Sequence, residues 1–222
     1  MINIKRFHNH KNIYKKGSQL LTINFAPGTK VYDEYIVKEK KTEYRQWNPR
    51  RSKLAAYLLN GGRTFPFNKD SKVLYLGAAS GTTASHLSDI IPNGMIYCVE
   101  FSQRSFRDLV LVCQTRKNMV PILEDAHFPE RYKPMMGRVD IVYQDISQKD
   151  QVLIFVKNLR ACLKKNGYGM LMVKARSINV AAPPSSIFKT VKQELKEEGL
   201  KILDEVNLGP YAKDHLGLVV QW

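Results

Sequence analysis

From residue 72 onward, apolar runs of strand length alternate with segments of helical period, and the last two runs are joined by a short connection. The strand-like runs cover 72–76, 95–100, 120–123, 139–143, 169–174, 201–206 and 216–222, and helical patterns fill 82–91, 104–116, 149–164 and 185–198. Such alternation requires parallel pairing, because a parallel neighbour is reached only through a right-handed crossover of about a dozen residues or more. Helices then cover both faces of the sheet. Residues 208–215 are too few for a crossover. The final strand must therefore run antiparallel to the others, in a mostly parallel seven-stranded, Rossmann-like α/β sheet.

Residues 1–47 read differently. Short strand-like pieces at 3–7, 20–24, 31–37 and 42–47, with Pro27-Gly28 as a turn, indicate a small antiparallel β domain. Asn48 then reads as a helix cap with Pro49 in the first turn, opening a helix through 51–59 that stops at Gly61-Gly62. Residues 48–222 form the second, α/β domain. Of the net charge of +15, +9 lies in the first 60 residues, among Phe7, Tyr14, Tyr32, Tyr35, Tyr44 and Trp47. That is a footprint for a polyanion, although a Lys-rich soluble surface has the same composition. Cys98, Cys113 and Cys162 form neither a disulfide framework nor a zinc ribbon, and fit a reducing interior. No metal site, membrane span or signal peptide is expected, so the protein is expected to be soluble and intracellular.

The run Val73–Leu76 enters Gly77-Ala78-Ala79-Ser80-Gly81-Thr82-Thr83 and then a helix. Glycines let the backbone turn sharply against a ligand, and the helix N-terminus supplies free N–H groups. The spacing is neither the dinucleotide pattern nor a P-loop. Glu100 ends the next strand, 19 residues beyond Gly81, where a carboxylate can accept from a ribose diol. Phe101 can stack on adenine, and Asp125-Ala126 can read its amino edge. An adenosine-bearing ligand without pyrophosphate, S-adenosylmethionine, fits this set.

Asp145 and Lys174 end the fourth and fifth strands, and His215 begins the last. The antiparallel direction of that last strand puts all three on the rim of the glycine loop. Lys53, in the entering helix, is a fourth candidate that spacing does not place. Ammonium groups and a carboxylate can activate a ribose 2′-hydroxyl by stabilising the developing oxyanion or accepting its proton. An Asp145–Lys174 surface ion pair, with His215 capping a loop, accounts for the same residues equally well.

Tyr44-Arg45-Gln46-Trp47-Asn48-Pro49-Arg50-Arg51-Ser52-Lys53-Leu54-Ala55-Ala56, Leu74–Thr83, Val99-Glu100-Phe101-Ser102 and Asp214-His215 resemble fibrillarin, the archaeal form more than the eukaryotic, which carries a Gly/Arg-rich region. The likeness runs from about Gly28 to the C-terminus. It implies an S-adenosyl-L-methionine-dependent RNA 2′-O-methyltransferase of the box C/D ribonucleoprotein, with a Rossmann-like methyltransferase fold. In that particle a guide RNA selects the nucleotide in pre-rRNA or tRNA, a Nop-family scaffold protein docks the enzyme, and a kink-turn-binding ribosomal-type protein anchors the RNA. A cytoplasmic location follows from the archaeal likeness. The family's cofactor contacts carry over to Thr82, Thr83, Glu100, Phe101, Asp125, Ala126 and the run Asp145 through Gln148, joining Gly77, Ala79 and Gly81 of the glycine loop as the expected cofactor site, and its catalytic set carries over to Lys53, Asp145, Lys174 and His215. Two stretches depart: Asp125-Ala126-His127 stands where Asp-Ala-Arg is usual, and Asp145-Ile146-Ser147-Gln148-Lys149 where Asp-Val-Ala-Gln-Pro is common. A non-catalytic assembly protein, a protein glutamine methyltransferase and a nucleotide-dependent dehydrogenase are the competing readings; the glycine spacing disfavours the last.

Overall fold

The computed structural model describes residues 4–7, 10 and 12–222. The first sheet contains β1 (Lys5–Arg6), β2 (Ile13–Lys16), β3 (Gln19–Ile23), β4 (Ile36–Glu39) and β5 (Thr42–Trp47), antiparallel in the order β1-β2-β3-β5-β4. Of the strand expected over 3–7, Asn3 lies outside the described residues. β2 was not expected, because its only inward apolar anchor is the buried Ile13 and two lysines follow. The run 31–37 yields only β4. The Glu34 carboxylate turns back to accept from the N–H groups of Val31 (3.0 Å) and Tyr32 (2.8 Å), which holds the preceding residues in a turn.

The helix α1 (Lys53–Leu59) is capped by Ser52, not by Asn48. The Asn48 side chain instead accepts from Arg50 N–H, and its carbonyl accepts from Arg51 N–H. This turn consumes the residues expected to begin the helix, so Lys53 becomes the first helical residue.

The second sheet is built by β6 (Lys72–Leu76), α2 (Thr82–Ile90), β7 (Met95–Glu100), α3 (Gln103–Gln114), β8 (Met119–Leu123), α4 (Pro129–Met136), β9 (Val139–Gln144), α5 (Gln151–Cys162), β10 (Leu163–Lys174), α6 (Ala175–Ile178), α7 (Pro184–Glu197), β11 (Lys201–Asn207) and β12 (His215–Gln221). The order is β11-β12-β10-β9-β6-β7-β8, and β12 is inserted antiparallel to both neighbours. The remaining pairs are parallel. This is the seven-stranded methyltransferase sheet expected from the short last connection. Two helices had no clear sequence pattern. Pro134 interrupts α4, and α6 is a single turn.

Strand alternation divides the core between two faces. Val73, Tyr75, Cys98, Tyr143, Met170 and Met172 pack on one side with α1 and α2, and Leu74, Leu76, Val142, Leu171 and Val173 on the other with α5 and α7. The three thiols are free, and burial pushes those of Cys113 and Cys162 up to about 11. Among the described residues no helix is long and apolar enough to cross a membrane.

Where the first sheet meets α2 the contact is ionic and fully buried. Arg45 pairs with Glu34 (2.8 Å) and Asp89 (3.1 Å), and Arg116 with Asp89 (2.6 Å). Two cations thus meet two carboxylates. Arg116 also reaches Asn24, and Thr22 donates to Asp89. Beside them His86 lies between the Thr22 and Tyr32 hydroxyls, and burial, followed by Arg45 and Arg116, keeps it neutral, far below the usual histidine range.

Candidate active site at the carboxyl ends of the parallel strands

The glycine loop leaves β6 with Gly77 at φ 78° and Gly81 at φ 87°, Gly81 being the residue before α2. A Cβ at Gly77 would stand 2.6 Å from the Asp145 carbonyl oxygen, so only glycine lets this loop pack on the end of β9. Between the glycines, Ala79 is also left-handed (φ 48°). Its N–H donates to Glu100 Oε2 (2.9 Å), while Glu100 Oε1 accepts from Ser102 N–H (2.8 Å). The carboxylate ending β7 therefore holds the loop as well as facing the cleft.

That cleft, of about 250 Å³, is lined by Gly77, Ala79, Glu100, Phe101, Asp125, Ala126, Asp145 and Gln148, all expected from the sequence. Phe101 is 64% exposed at its edge. Ile146 and Ser147, inside the expected run from Asp145 to Gln148, line it too, and Val99, Glu124, His127 and Ile154 complete it. Val99 and Ile154 carry no distinguishing signal, since each is also a core position of its strand or helix. Gly81, Thr82 and Thr83 do not line it. Thr83 turns inward, and its hydroxyl donates to the Ser52 cap of α1 (2.9 Å). At the far wall, Asp125 Oδ1 accepts from the His127 N–H and ring Nδ1. Burial raises the Asp125 carboxyl, but the His127 donors outweigh it and hold the group below the usual carboxylate range.

At the near end of the cleft, Lys53 Nζ lies 2.7 Å from Asp145 Oδ1, with the two side chains 26% and 14% exposed. Asp145 thus pairs with Lys53, replacing the Asp145–Lys174 ion pair that the pattern equally allowed. Lys174 and His215 are direct cross-strand partners at the ends of β10 and β12, and Lys174 Nζ approaches Ser147 Oγ at 3.4 Å. His215 Nδ1 lies 2.6 Å from the Lys213 carbonyl oxygen. A carbonyl only accepts, so Nδ1 carries the proton and the neutral ring keeps its lone pair on Nε2. Burial lowers the His215 imidazole below the usual range, opposed by the Lys213 carbonyl and helped by the Lys53 and Lys174 charges. All four sequence-chosen side chains meet at one rim.

Two buried glutamines brace this rim. Gln151 accepts from Lys174 N–H (3.0 Å) and donates to the carbonyls of Lys174 and Gln148, while Gln144 donates to the Gln151 carbonyl (2.6 Å). Sequence reasoning missed both. A glutamine beside a strand end reads as a polar surface residue, and only the fold shows its amide turned inward.

A family model described as fibrillarin matches residues 4–222. A fibrillarin-like rRNA/tRNA 2′-O-methyltransferase of Methanothermobacter thermautotrophicus is 49% identical over 221 residues, covering 100% of this chain and 99% of that protein. The solved Aeropyrum pernix fibrillarin, in complex with natively bound S-adenosyl-L-methionine, superposes with a TM-score of 0.91 at 44% identity, covering 99% of this chain and 98% of that one. A solved fibrillarin/Nop5p complex has a chain matching with a TM-score of 0.89 at 40% identity, covering 98% of this chain and 99% of its own length.

Proposed function

The chain belongs to the fibrillarin family, and from that premise we propose that it is an RNA-guided ribose 2′-O-methyltransferase of a box C/D ribonucleoprotein. The observation that carries this reading is the meeting of Lys53, Asp145, Lys174 and His215 at the mouth of a cleft formed by three successive strand ends. S-adenosylmethionine fits the cleft chemically: Glu100 has carboxylate lone pairs for the ribose hydroxyls, Phe101 an exposed ring for adenine, and Asp125-Ala126 an acceptor edge. When bound, it supplies an electrophilic methyl on a sulfonium. The partners we propose are a guide RNA with its rRNA or tRNA target, a Nop-family scaffold and a kink-turn-binding protein; the Nop5p complex of a relative supports the scaffold.

In this reading Asp145 orients the Lys53 ammonium through their ion pair, and Lys174 adds a second positive charge near the attacking oxygen. His215, neutral and with its lone pair on Nε2, takes up the proton of the ribose hydroxyl. The gluing of Lys174 and the loop after β9 by Gln151 keeps these groups aligned, which matters because in-line methyl transfer is chiefly a question of alignment.

Two expected outcomes arise here. Glu100→Ala removes a ribose acceptor together with the anchor of the Ala79 N–H, and S-adenosylmethionine affinity measured by calorimetry should drop by about 1–3 kcal/mol; an unchanged affinity takes Glu100 out of the site. Single-turnover methyl transfer should fall as pH drops through the His215 pKa, which lies below 6.5, because protonation removes the Nε2 lone pair, and should level off above it. An acid limb that persists in His215→Gln would assign the titration elsewhere. The reading as a whole is tested with reconstituted particle and labelled S-adenosylmethionine. Label should enter RNA only when guide is present and the target carries its 2′-hydroxyl; label in protein, or none from an assembled particle that binds the cofactor, favours a protein substrate or an assembly role.

A further inference from the structure

His127 lines the cleft and stands between Asp125, which also lines it, and Asp150, two residues beyond the lining segment that ends at Gln148. Its Nδ1 is 2.6 Å from Asp125 Oδ1, on the loop after β8, and its Nε2 is 2.9 Å from Asp150 Oδ2, the residue before α5. Ionised carboxylates only accept, so both ring nitrogens donate and the ring is an imidazolium. Asp150 makes this contact in place of capping α5, whose N-terminus receives no side-chain bond from it. The His127 carbonyl is in turn held by Lys157 Nζ (2.5 Å) from the same helix. Lys157 also pairs with Glu130, and both Lys157 and Arg131 lie over the Phe128 ring, with Arg131 reaching Glu124. The charged groups around the imidazole are therefore Glu124 and Asp125 from its own loop, Glu130 and Arg131 from α4, Asp150 from the loop after β9, and Lys157 from α5.

We propose that His127 is a positioning residue for the nucleoside end of the ligand, a proton-dependent brace that ties the Asp125-Ala126 wall to the wall carrying Asp145–Gln148. The inference rests on reading the cleft as the S-adenosylmethionine site. Its physical basis is the double donation: a neutral ring has one N–H and sets a lone pair against a carboxylate, so loss of the proton releases one wall. The bond to Asp125, then the one to Asp150, hold the imidazole above its ordinary range, which places the release on the alkaline side of 6.5. Arginine at this position would supply a permanent cation with several donors.

The test is S-adenosylmethionine binding by the full chain, followed calorimetrically from mildly acid to mildly alkaline pH. Wild-type affinity should weaken about three- to tenfold across the His127 titration, a part of one charge-assisted hydrogen bond reduced by solvent exposure. His127→Arg should bind tightly with that step removed. His127→Gln should bind weakly at all pH values, by about the same factor, and Asp150→Asn should lose the step as well. The ligand's own amino group and His215 titrate in every variant, so the difference between profiles isolates His127. Superimposable wild-type and His127→Arg profiles, or a His127→Gln variant as tight as wild type in acid, overturn the brace. Absence of binding by all folded variants at every pH overturns the cofactor reading and the brace with it.

Discussion

Lys174→Ala in a reconstituted guide particle should slow single-turnover methyl transfer by roughly two to four orders of magnitude, with S-adenosylmethionine affinity changed by less than about twofold. The separation of the two effects follows from placement. The Lys174 side chain does not line the cleft, and among the described residues its one polar approach is the 3.4 Å contact with Ser147 Oγ. Its backbone is held independently of the side chain, by Gln151 at the N–H and by pairing with His215 across β12. Truncation therefore removes a charge from the rim without moving the strand end. Asp145→Ala should cost a comparable rate and also weaken cofactor binding, since Asp145 both lines the cleft and pairs with Lys53. Wild-type turnover in either variant would end the proposed mechanism.

The second large effect is on stability. Asp89→Ala should destabilise the protein by about 3–5 kcal/mol, because two buried guanidiniums lose their shared counter-charge. Asp89 accepts from Arg45 (3.1 Å), Arg116 (2.6 Å), the Thr22 hydroxyl (2.6 Å) and the Phe25 N–H (2.9 Å), and the four side chains of the ion cluster, Arg45, Arg116, Asp89 and Glu34, are completely shielded from water. Arg45 keeps Glu34, whereas Arg116 keeps no carboxylate partner among the described residues. For a chain of this size the melting temperature should fall by roughly 10 °C or more, read by calorimetry. A loss of only one or two degrees would mean that water or a side-chain shift replaces the missing charge. The same cluster joins β3 and β5 to α2, and α2 begins at the glycine loop, so its integrity also bears on the seating of the cleft.

Much of this architecture was legible from local pattern. Alternating periods and one short connection settled a parallel sheet with β12 reversed, because crossover length is a property of the chain itself. Gly77 and Gly81 could be read as obligatory turns, and Glu100, Phe101, Asp125 and Asp145 as strand-end residues facing a ligand, because the end of a parallel strand has a known address in such a sheet. The errors were equally local. Asn48 looks like a helix cap until its carbonyl and side chain are found bonded to Arg51 and Arg50, and the polar stretch Lys164–Gly167 gave no sign that β10 begins at Leu163.

The sequence by itself determined the alternation of strands and helices that builds the seven-stranded sheet, the positions where only glycine serves, and the rim to which Asp145, Lys174 and His215 are delivered. Those features follow from backbone sterics and from a hydrophobic period, both of which are written along the chain. Only the tertiary structure decided that Asp145 takes Lys53 as its partner, that Thr83 turns away from the cleft, that His127 spans two carboxylates, and that Arg45 and Arg116 are buried over Asp89. A charge interacts through space with whatever the fold brings within a few ångströms, and residues 53 and 145 become neighbours only after α1 has packed on the sheet beside the carboxyl end of β9.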